Sequence, residues 1–411
     1  MSLRRSATVA CALGLALSAT PVTAHATAPA ADGGTADCQL GTTAFIAQRG
    51  LSNALPMIST PQSWQLSRGK GVTVAVVDSG VNVGNQHLTD NVEPGFSLLA
   101  DGDGRTDLLG HGTAVAGVIA ARKIPQSVLE GQAPEATILP VRVYDLPDSE
   151  NNATPPQQPL NALGVAQGIR WAADHGADVI NVSISSGPSA PGLAEQRDAV
   201  RHAQAKGALI VASSGDSDIG AVTQDRYPAS FPGVIGVAAA NTSGRVDDYS
   251  VHSPGVDVIA PGQGIMVAFH ANGDCLGGDT PQTSYSAGFV SGLAAQLKQR
   301  FPRESNAMIA WRIMSTAKRD RPSVRDDSAG WGLVQPYAAL TLVPDPSRPG
   351  PAMPGAPKVQ AAKTETGVQL ASETTDPMAG VRREAVWWAL GGVGLAALAL
   401  LLRPLLRRRA D

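Results

Sequence analysis

Residues 72–80 read Val-Thr-Val-Ala-Val-Val-Asp-Ser-Gly, a short apolar run that ends in a carboxylate and a turn. Such a run of strand length predicts a parallel strand that is buried on both faces. Asp78 closes this strand, where an ionised carboxylate would be costly without a partner. A protonated histidine is the natural partner, although Asp-Ser-Gly alone also fits an ordinary turn after a strand.

Similar apolar runs alternate with helical stretches along the middle of the chain. The other strand candidates are Ile138–Val143, Val179–Ile184, Ala208–Ala212 and Val234–Ala238. The helix candidates are Ala114–Ala121, Ala162–His175, Ala194–Lys206 and Tyr285–Arg300. This alternation predicts an α/β fold with a doubly wound, mostly parallel sheet and helices on both faces. Residues 145–160 interrupt the alternation and are expected to form an exposed loop.

Two further motifs offer a histidine and a serine where an apolar helix begins. His111-Gly112-Thr113 opens a stretch of small residues, and Ser284 precedes a helix rich in alanine and glycine. Backbone N–H groups at a helix start are unpaired and carry positive potential, which suits an oxyanion. Each motif alone also has a simpler explanation, because a histidine can start a helix without a task and a serine can merely cap one.

Together these residues provide the groups that nucleophilic acyl transfer requires. A serine becomes nucleophilic when a nearby base takes its proton, and a carboxylate holds that base in the correct tautomer. Asp78, His111 and Ser284 follow one another in the order Asp, His, Ser, which distinguishes this chain from the two other familiar arrangements of such a triad.

On these motifs the chain resembles the subtilase family of serine proteases over roughly residues 64–340. Four more stretches resemble family blocks, namely 133–143, 178–184, 227–235 and 257–262. The resemblance implies a serine endopeptidase with a subtilisin-like fold that works through an acyl-enzyme. Asp78 would orient the histidine, His111 would be the general base, and Ser284 would be the nucleophile. Substrate would lie extended as an added strand, with Ser183, Ile184, Ser185 and Gly215 as its binding residues.

The chain departs from the family pattern at four positions around this site. Asp216 stands where the family has an asparagine whose amide donates to the oxyanion, so we assign Asp216 to the oxyanion hole with an altered role. An ionised carboxylate would repel the developing negative charge, whereas a protonated one in a poorly solvated site could donate, which would favour activity at acid pH. Gln282 and Ser185 replace family glycines, and Gly288 replaces a family proline. These changes suggest a restricted enzyme.

Both ends of the chain have the composition of export and membrane segments. We predict six regions: a signal peptide at 1–26, an N-terminal extension wrapping the core at 27–60, the peptidase domain at 61–341, a Pro-rich disordered stalk at 342–384, a transmembrane helix at 385–402, and a basic cytoplasmic tail at 403–411. The arginines of the tail should remain in the cytoplasm, which places the catalytic domain on the extracytoplasmic side of the cell membrane.

This arrangement of segments resembles that of the mycosins, membrane-anchored proteases associated with type VII secretion in actinobacteria. The resemblance implies limited processing of protein substrates and support of a secretion complex in the membrane. A catalytically weak scaffold that stabilises such a complex is the alternative from another class. A general surface protease with broad specificity is a third interpretation.

Charge and cysteine usage limit the other partners and cofactors. The net charge is −3 and no basic block lies outside the tail, so nucleic acid is an unsuitable partner. Cys38 and Cys275 form an even pair in an oxidising compartment, which indicates a disulfide, although two free thiols are the alternative. Residues 101–107 carry carboxylates that could wrap a structural calcium ion, but a turn-rich loop explains them better. No cofactor or zinc grouping is indicated.

Overall fold

The strand that ends at Asp78 lies inside a parallel sheet of seven strands. In space the order is β2-β3-β1-β4-β5-β6-β7, and every neighbouring pair is parallel. These strands are β1 (Thr73–Asp78), β2 (Phe96–Ser97), β3 (Thr137–Arg142), β4 (Val179–Val182), β5 (Leu209–Ser213), β6 (Ile235–Ala240) and β7 (Val258–Pro261). β8 (Ile265–Phe269) and β9 (Gly273–Gly277) form a separate antiparallel pair.

Helices cover both faces of the sheet, which therefore has two apolar cores. They are α1 (Ala54–Met57), α2 (Thr60–Ser63), α3 (His111–Ala120), α4 (Ala162–Asp174), α5 (Leu193–Ala205), α6 (Thr283–Arg300), α7 (Asn306–Thr316) and α8 (Pro336–Thr341). α6 is buried from Thr283 to Leu297. Its small residues allow this close packing, since an added Cβ on Gly288 would lie 3.1 Å from Val118 of α3.

The predicted α/β class is confirmed, and the predicted strands differ from the observed ones by no more than two residues at either end. α3 begins at His111 rather than at Ala114, because Gly112 and Thr113 are already helical. The sequence patterns did not indicate the β8–β9 pair or α7. Of the two, β9 contains glycine and aspartate, which weaken the apolar pattern used to recognise strands.

The structure is a computed structural model that describes residue 38 and residues 45–99, 102–144, 160–217, 222–246, 248–271, 273–356, 384–395, 397 and 400. The predicted signal peptide, the tail, and most of the predicted loop at 145–160 lie outside these ranges. The chain divides into two compact units, residues 1–356 and 357–411. In the second unit residues 384–395 are helical. Among the described residues, no helix combines the length and the hydrophobicity needed to cross a membrane.

The described part of the N-terminal extension is held to the core by covalent and polar contacts. A disulfide joins Cys38 to Cys275 in β9. The neighbouring Asp274 is fully buried, accepts the Ile46 backbone N–H at 3.2 Å, and lies 3.0 Å from Nε2 of the buried His87. Asn53 donates to the carbonyl of Thr242 at 2.9 Å.

Residues 342–356, which sequence analysis placed in the disordered stalk, contact α7 and the segment after it. Trp311 donates its indole N–H to the Pro351 carbonyl at 3.0 Å, and Arg312 donates to the Leu342 carbonyl at 2.7 Å. Proline-rich chain cannot form a ladder of its own, but its carbonyls still accept hydrogen bonds.

Removal of the disulfide should lower the stability of the folded chain. The two cysteines are 237 residues apart in sequence, so the bond restricts a large loop of the unfolded chain. We expect the double variant Cys38→Ala/Cys275→Ala to lose about 2–5 kcal/mol of unfolding free energy, measured as a lower thermal midpoint. Dithiothreitol should lower the midpoint of the parent toward that of the variant and leave the variant unchanged; equal midpoints without reductant would contradict the prediction.

Candidate active site

The carboxyl edge of the sheet brings Asp78 and His111 into direct contact. Asp78 is the last residue of β1 and His111 is the first residue of α3. Nδ1 of His111 lies 2.8 Å from Oδ1 of Asp78. The carboxylate is fully buried, whereas 28% of the histidine side chain is exposed. A carboxylate at Nδ1 places the proton on that nitrogen and leaves Nε2 free to exchange a proton with another group.

Further hydrogen bonds fix the Asp78 carboxylate. Its Oδ1 atom also accepts the Ser79 backbone N–H at 2.7 Å and the Tyr144 hydroxyl at 3.3 Å. Burial, followed by the charges of Asp78 and Asp107, raises the pKa of Tyr144. Tyr144 therefore remains a neutral donor to the carboxylate.

Asp107, to which sequence analysis assigned no role, fixes the start of α3. One of its oxygens accepts from the Ser79 hydroxyl at 2.9 Å and from the Gly110 N–H at 2.9 Å. The other accepts the Thr113 N–H at 2.8 Å and the Thr113 hydroxyl at 2.6 Å. The Ser79 hydroxyl in turn accepts the Gly112 N–H at 3.0 Å. An acidic residue shortly before a helix start was the sequence signal that could have indicated this role.

The glycine at residue 112 allows α3 to approach the end of β1. A Cβ atom added to Gly112 would lie 2.1 Å from the carbonyl oxygen of Gly80. A side chain there would push the helix away from the strand. The contact between His111 and Asp78 therefore depends on the absence of a side chain at residue 112.

Ser284 is the second residue of α6 and is 8% exposed. Its hydroxyl donates to the Ser183 carbonyl at 3.3 Å, and the Ser183 hydroxyl donates to the Ser284 carbonyl at 3.3 Å. The ring of the next residue, Tyr285, lies nearly parallel to His111 with centroids 6.3 Å apart. The structure thus brings Ser284 to the same edge of the sheet as Asp78 and His111.

Asp216 lies beside the N-terminus of α6 and accepts a hydrogen bond there. Its Oδ1 atom accepts the Thr283 backbone N–H at 2.9 Å. Asp216 is exposed, so the poorly solvated environment expected from the sequence is absent at this residue. Solvent and the accepted N–H both favour the ionised carboxylate. Gln282 caps α6 with φ −117° and ψ 122°, an extended backbone that any residue adopts, so a glycine is not required there.

The residues predicted to bind substrate form two facing segments after β4 and β5. Ser183 and Ser185 belong to the first segment and Gly215 to the second. Gly215 has φ +91°, and a Cβ on it would lie 2.6 Å from the Ser185 hydroxyl oxygen. The side chain of Ile184 instead packs into the core with 5% exposure, so only its backbone is placed to meet a peptide.

Carboxylates dominate the electrostatics around His111. Burial alone would lower the pKa of His111, but the charge and hydrogen bond of Asp78, with smaller contributions from Asp107 and Asp216, raise the pKa to about 9. At neutral pH the imidazole is therefore mostly protonated in the free protein.

The described carboxylates of the acidic loop before α3 do not collect around one point. Asp103 pairs with Arg105 at 2.7 Å, and both oxygens of Asp107 accept hydrogen bonds from the start of α3. Asp101 lies outside the described residues. Within the described ranges, no group of three or more His, Cys, Asp or Glu side chains is placed to hold a metal ion.

Comparison with known proteins gives the same family from sequence and from structure. The subtilase family model matches residues 69–332. Mycosin-3 of Mycobacterium tuberculosis (strain ATCC 25618 / H37Rv) is 32% identical over 361 residues, covering 75% of this chain and 77% of that protein.

Two solved structures share the fold over most of their length. The crystal structure of MycP1 from the ESX-1 type VII secretion system has a TM-score of 0.63 and 28% identity, covering 78% of this chain and 92% of that chain. A chain of the periplasmic assembly from the ESX-5 inner membrane complex has a TM-score of 0.63 and 29% identity, covering 79% of this chain and 90% of that chain.

The raised pKa of His111 predicts an alkaline pH profile for the reactivity of Ser284. A serine can pass its proton to an imidazole only when the imidazole is neutral. We expect the rate constant for fluorophosphonate labelling to rise about tenfold per pH unit from about pH 6 and to level off near pH 9. The measurement is labelling rate against pH on the full chain. A rate that increased toward acid pH would contradict this assignment.

Proposed function

Because the chain belongs to the subtilase family of serine endopeptidases, and within it to the mycosins, we propose that it cleaves protein substrates of a type VII secretion complex. The observation that carries the proposal is the 2.8 Å contact between Asp78 and His111 at the sheet edge where Ser284 lies in the first turn of α6. These three residues supply an orienting carboxylate, a base and a hydroxyl on three separate rigid elements.

In the proposed reaction, Oγ of Ser284 bonds to the carbonyl carbon of the peptide while its proton passes to Nε2 of His111. Asp78 stabilises the imidazolium that forms. The C–N bond then breaks as His111 returns the proton to the departing amine nitrogen. Water repeats the sequence on the acyl-enzyme, again with His111 as base, and frees Ser284.

The oxyanion would be bound mainly by the backbone N–H of Ser284. This group lies in the first turn of α6, where no acceptor exists within the helix itself. Asp216 contributes a charge of the wrong sign, since its carboxylate accepts the Thr283 N–H and cannot donate while ionised. We therefore propose that Asp216 slows hydrolysis, so that the enzyme is selective and slow.

The proposed substrate is an extended peptide that runs beside Ser183–Ser185, as a strand added to the sheet edge. The proposed setting is the extracytoplasmic face of the cell membrane, with the apolar run 385–402 as the anchor and a type VII complex as the partner. The similarity to a chain of the ESX-5 periplasmic assembly supports such a partner for this chain.

A scaffold that stabilises the secretion complex is the second candidate function. The ionised Asp216 next to the start of α6 favours it, because this residue weakens the oxyanion site. The contact between Asp78 and His111 favours the enzyme, because a scaffold has no need of an oriented imidazole.

Replacement of Asp216 by asparagine should accelerate hydrolysis at neutral pH. The amide can donate to the oxyanion, and removal of the charge lowers the pKa of His111. We expect kcat of the full-length Asp216→Asn variant to be about tenfold or more above that of the parent, measured with a peptide substrate. Asp198→Asn, an equal loss of charge at an exposed position of α5, should leave kcat unchanged. An Asp216→Asn enzyme no faster than the parent would show that Asp216 does not limit the rate.

Replacement of Ser284 by alanine should separate the enzyme from the scaffold. We expect Ser284→Ala to abolish fluorophosphonate labelling and the processing of secreted proteins, while Ser243→Ala, at an exposed serine, retains both. Labelling is measured on the full chain. Complementation of a deletion strain is measured by the size of the secreted substrates, which reports their processing, and by the total amount of protein secreted. Full labelling of Ser284→Ala would refute the assigned nucleophile, and unlabelled parent protein that supports secretion would favour the scaffold.

A further inference from the structure

Arg226 lies close to Gly215 and Gly187, beside the two segments predicted to bind substrate. A Cβ added to Gly215 would lie 3.3 Å from Cγ of Arg226, and one added to Gly187 would lie 3.8 Å from its Nη1 atom. The aliphatic stem of Arg226 therefore packs near Gly215 in the segment after β5. The guanidinium reaches Gly187, two residues after the Ser183–Ser185 segment.

Backbone pairing fixes Arg226 in this position. The neighbouring Tyr227 exchanges two hydrogen bonds with Ser186, at 2.8 Å and 2.9 Å, in an isolated antiparallel bridge. Because Ser186 directly follows the Ser183–Ser185 segment, the bridge holds Arg226 beside the predicted path of the substrate. Arg226 is thus held beside the segments predicted to bind substrate and does not belong to a separate surface loop.

The guanidinium of Arg226 has no carboxylate partner among the described residues, unlike several other arginines of low exposure. Arg68, Arg312 and Arg325 each lie within 3.0 Å of a carboxylate oxygen. No ion pair of the described residues involves Arg226, and its Nε atom is buried without a hydrogen-bond partner. The adjacent carboxylate, Asp225, instead accepts the Ser230 hydroxyl at 3.3 Å. A guanidinium without a carboxylate partner can pair with a carboxylate that a ligand supplies.

We propose that Arg226 makes this protease selective for an acidic side chain, glutamate or aspartate, on the residue that precedes the scissile bond. This inference rests on the proposed function, because it uses the peptide path beside Ser183–Ser185 and the nucleophile Ser284. A side chain that enters beside Ser185 and Gly215 would approach the guanidinium, which reaches Gly187. A carboxylate matches the geometry of a guanidinium and supplies the charged partner that Arg226 lacks among the described residues.

A matched pair of peptides tests the charge alone. The two peptides differ only in glutamate or glutamine before the scissile bond, since these side chains have nearly the same shape. We expect the full chain to cleave the glutamate peptide with a kcat/KM about tenfold or more above that of the glutamine peptide, which is the discrimination typical of a hydrogen bond to a charged group.

Variants of Arg226 should change this ratio in a defined order. Arg226→Lys should keep a reduced preference for glutamate, Arg226→Met should bring the ratio close to one, and Arg226→Glu should favour glutamine. Arg201→Met, an equal loss of charge on the exposed face of α5, should leave the ratio unchanged. A parent enzyme that cleaves both peptides equally, or an Arg226→Met variant that retains the preference, would overturn the proposal.

A binding measurement separates failure of this inference from failure of the proposed function. Peptides that end in the glutamate or glutamine residue are bound to the full-length Ser284→Ala variant and followed by fluorescence anisotropy. If the parent is not labelled by fluorophosphonate, the proposed function fails, and tighter binding of the glutamate peptide would still support Arg226 as an acidic-residue site. If the parent is labelled but neither cleavage nor binding distinguishes the peptides, only the role of Arg226 fails.

Discussion

The close contact between Gly112 and Gly80 is the constraint on which the candidate active site depends. It lets α3 start directly against the end of β1, so that the first residue of the helix meets the last residue of the strand. Asp107 then ties the start of α3 to Ser79 through a buried carboxylate. The imidazole is consequently oriented by backbone geometry first and by hydrogen bonds second.

The same arrangement surrounds one imidazole with three carboxylates. Asp78 is the nearest and contributes most, while Asp107 and Asp216 add to the field that favours the protonated ring. An environment that stabilises the imidazolium helps once the proton has left the serine, but it makes the resting base harder to deprotonate. Asp216 adds a further cost, because it places negative charge close to where the oxyanion would form. In the proposed mechanism these opposing effects limit the rate of hydrolysis through electrostatics.

Sequence patterns could predict the sheet and the ends of its strands, but not the contacts made by loops. Every buried residue of β1 before Asp78 is apolar, so its pattern reports burial directly. His111 and Ser284 could be placed because each stands where a helix pattern begins. Arg226 carries no such local signal, since its position depends on pairing between Tyr227 and Ser186, about forty residues away in sequence. Asp216 lies beside the start of α6, and its exposure is set by folding of the segments around it, which no periodicity reports.

The disulfide between Cys38 and Cys275 has a consequence for how the N-terminal arm could be shed. Hydrolysis of any peptide bond between residue 38 and the start of α1 would produce two polypeptides that stay covalently joined. Release of the arm then requires two independent chemical events, one proteolytic and one reductive. The redox state outside the membrane would thus act as a second input to maturation, and a cleaved molecule would retain the mass of an intact one until a reductant was added.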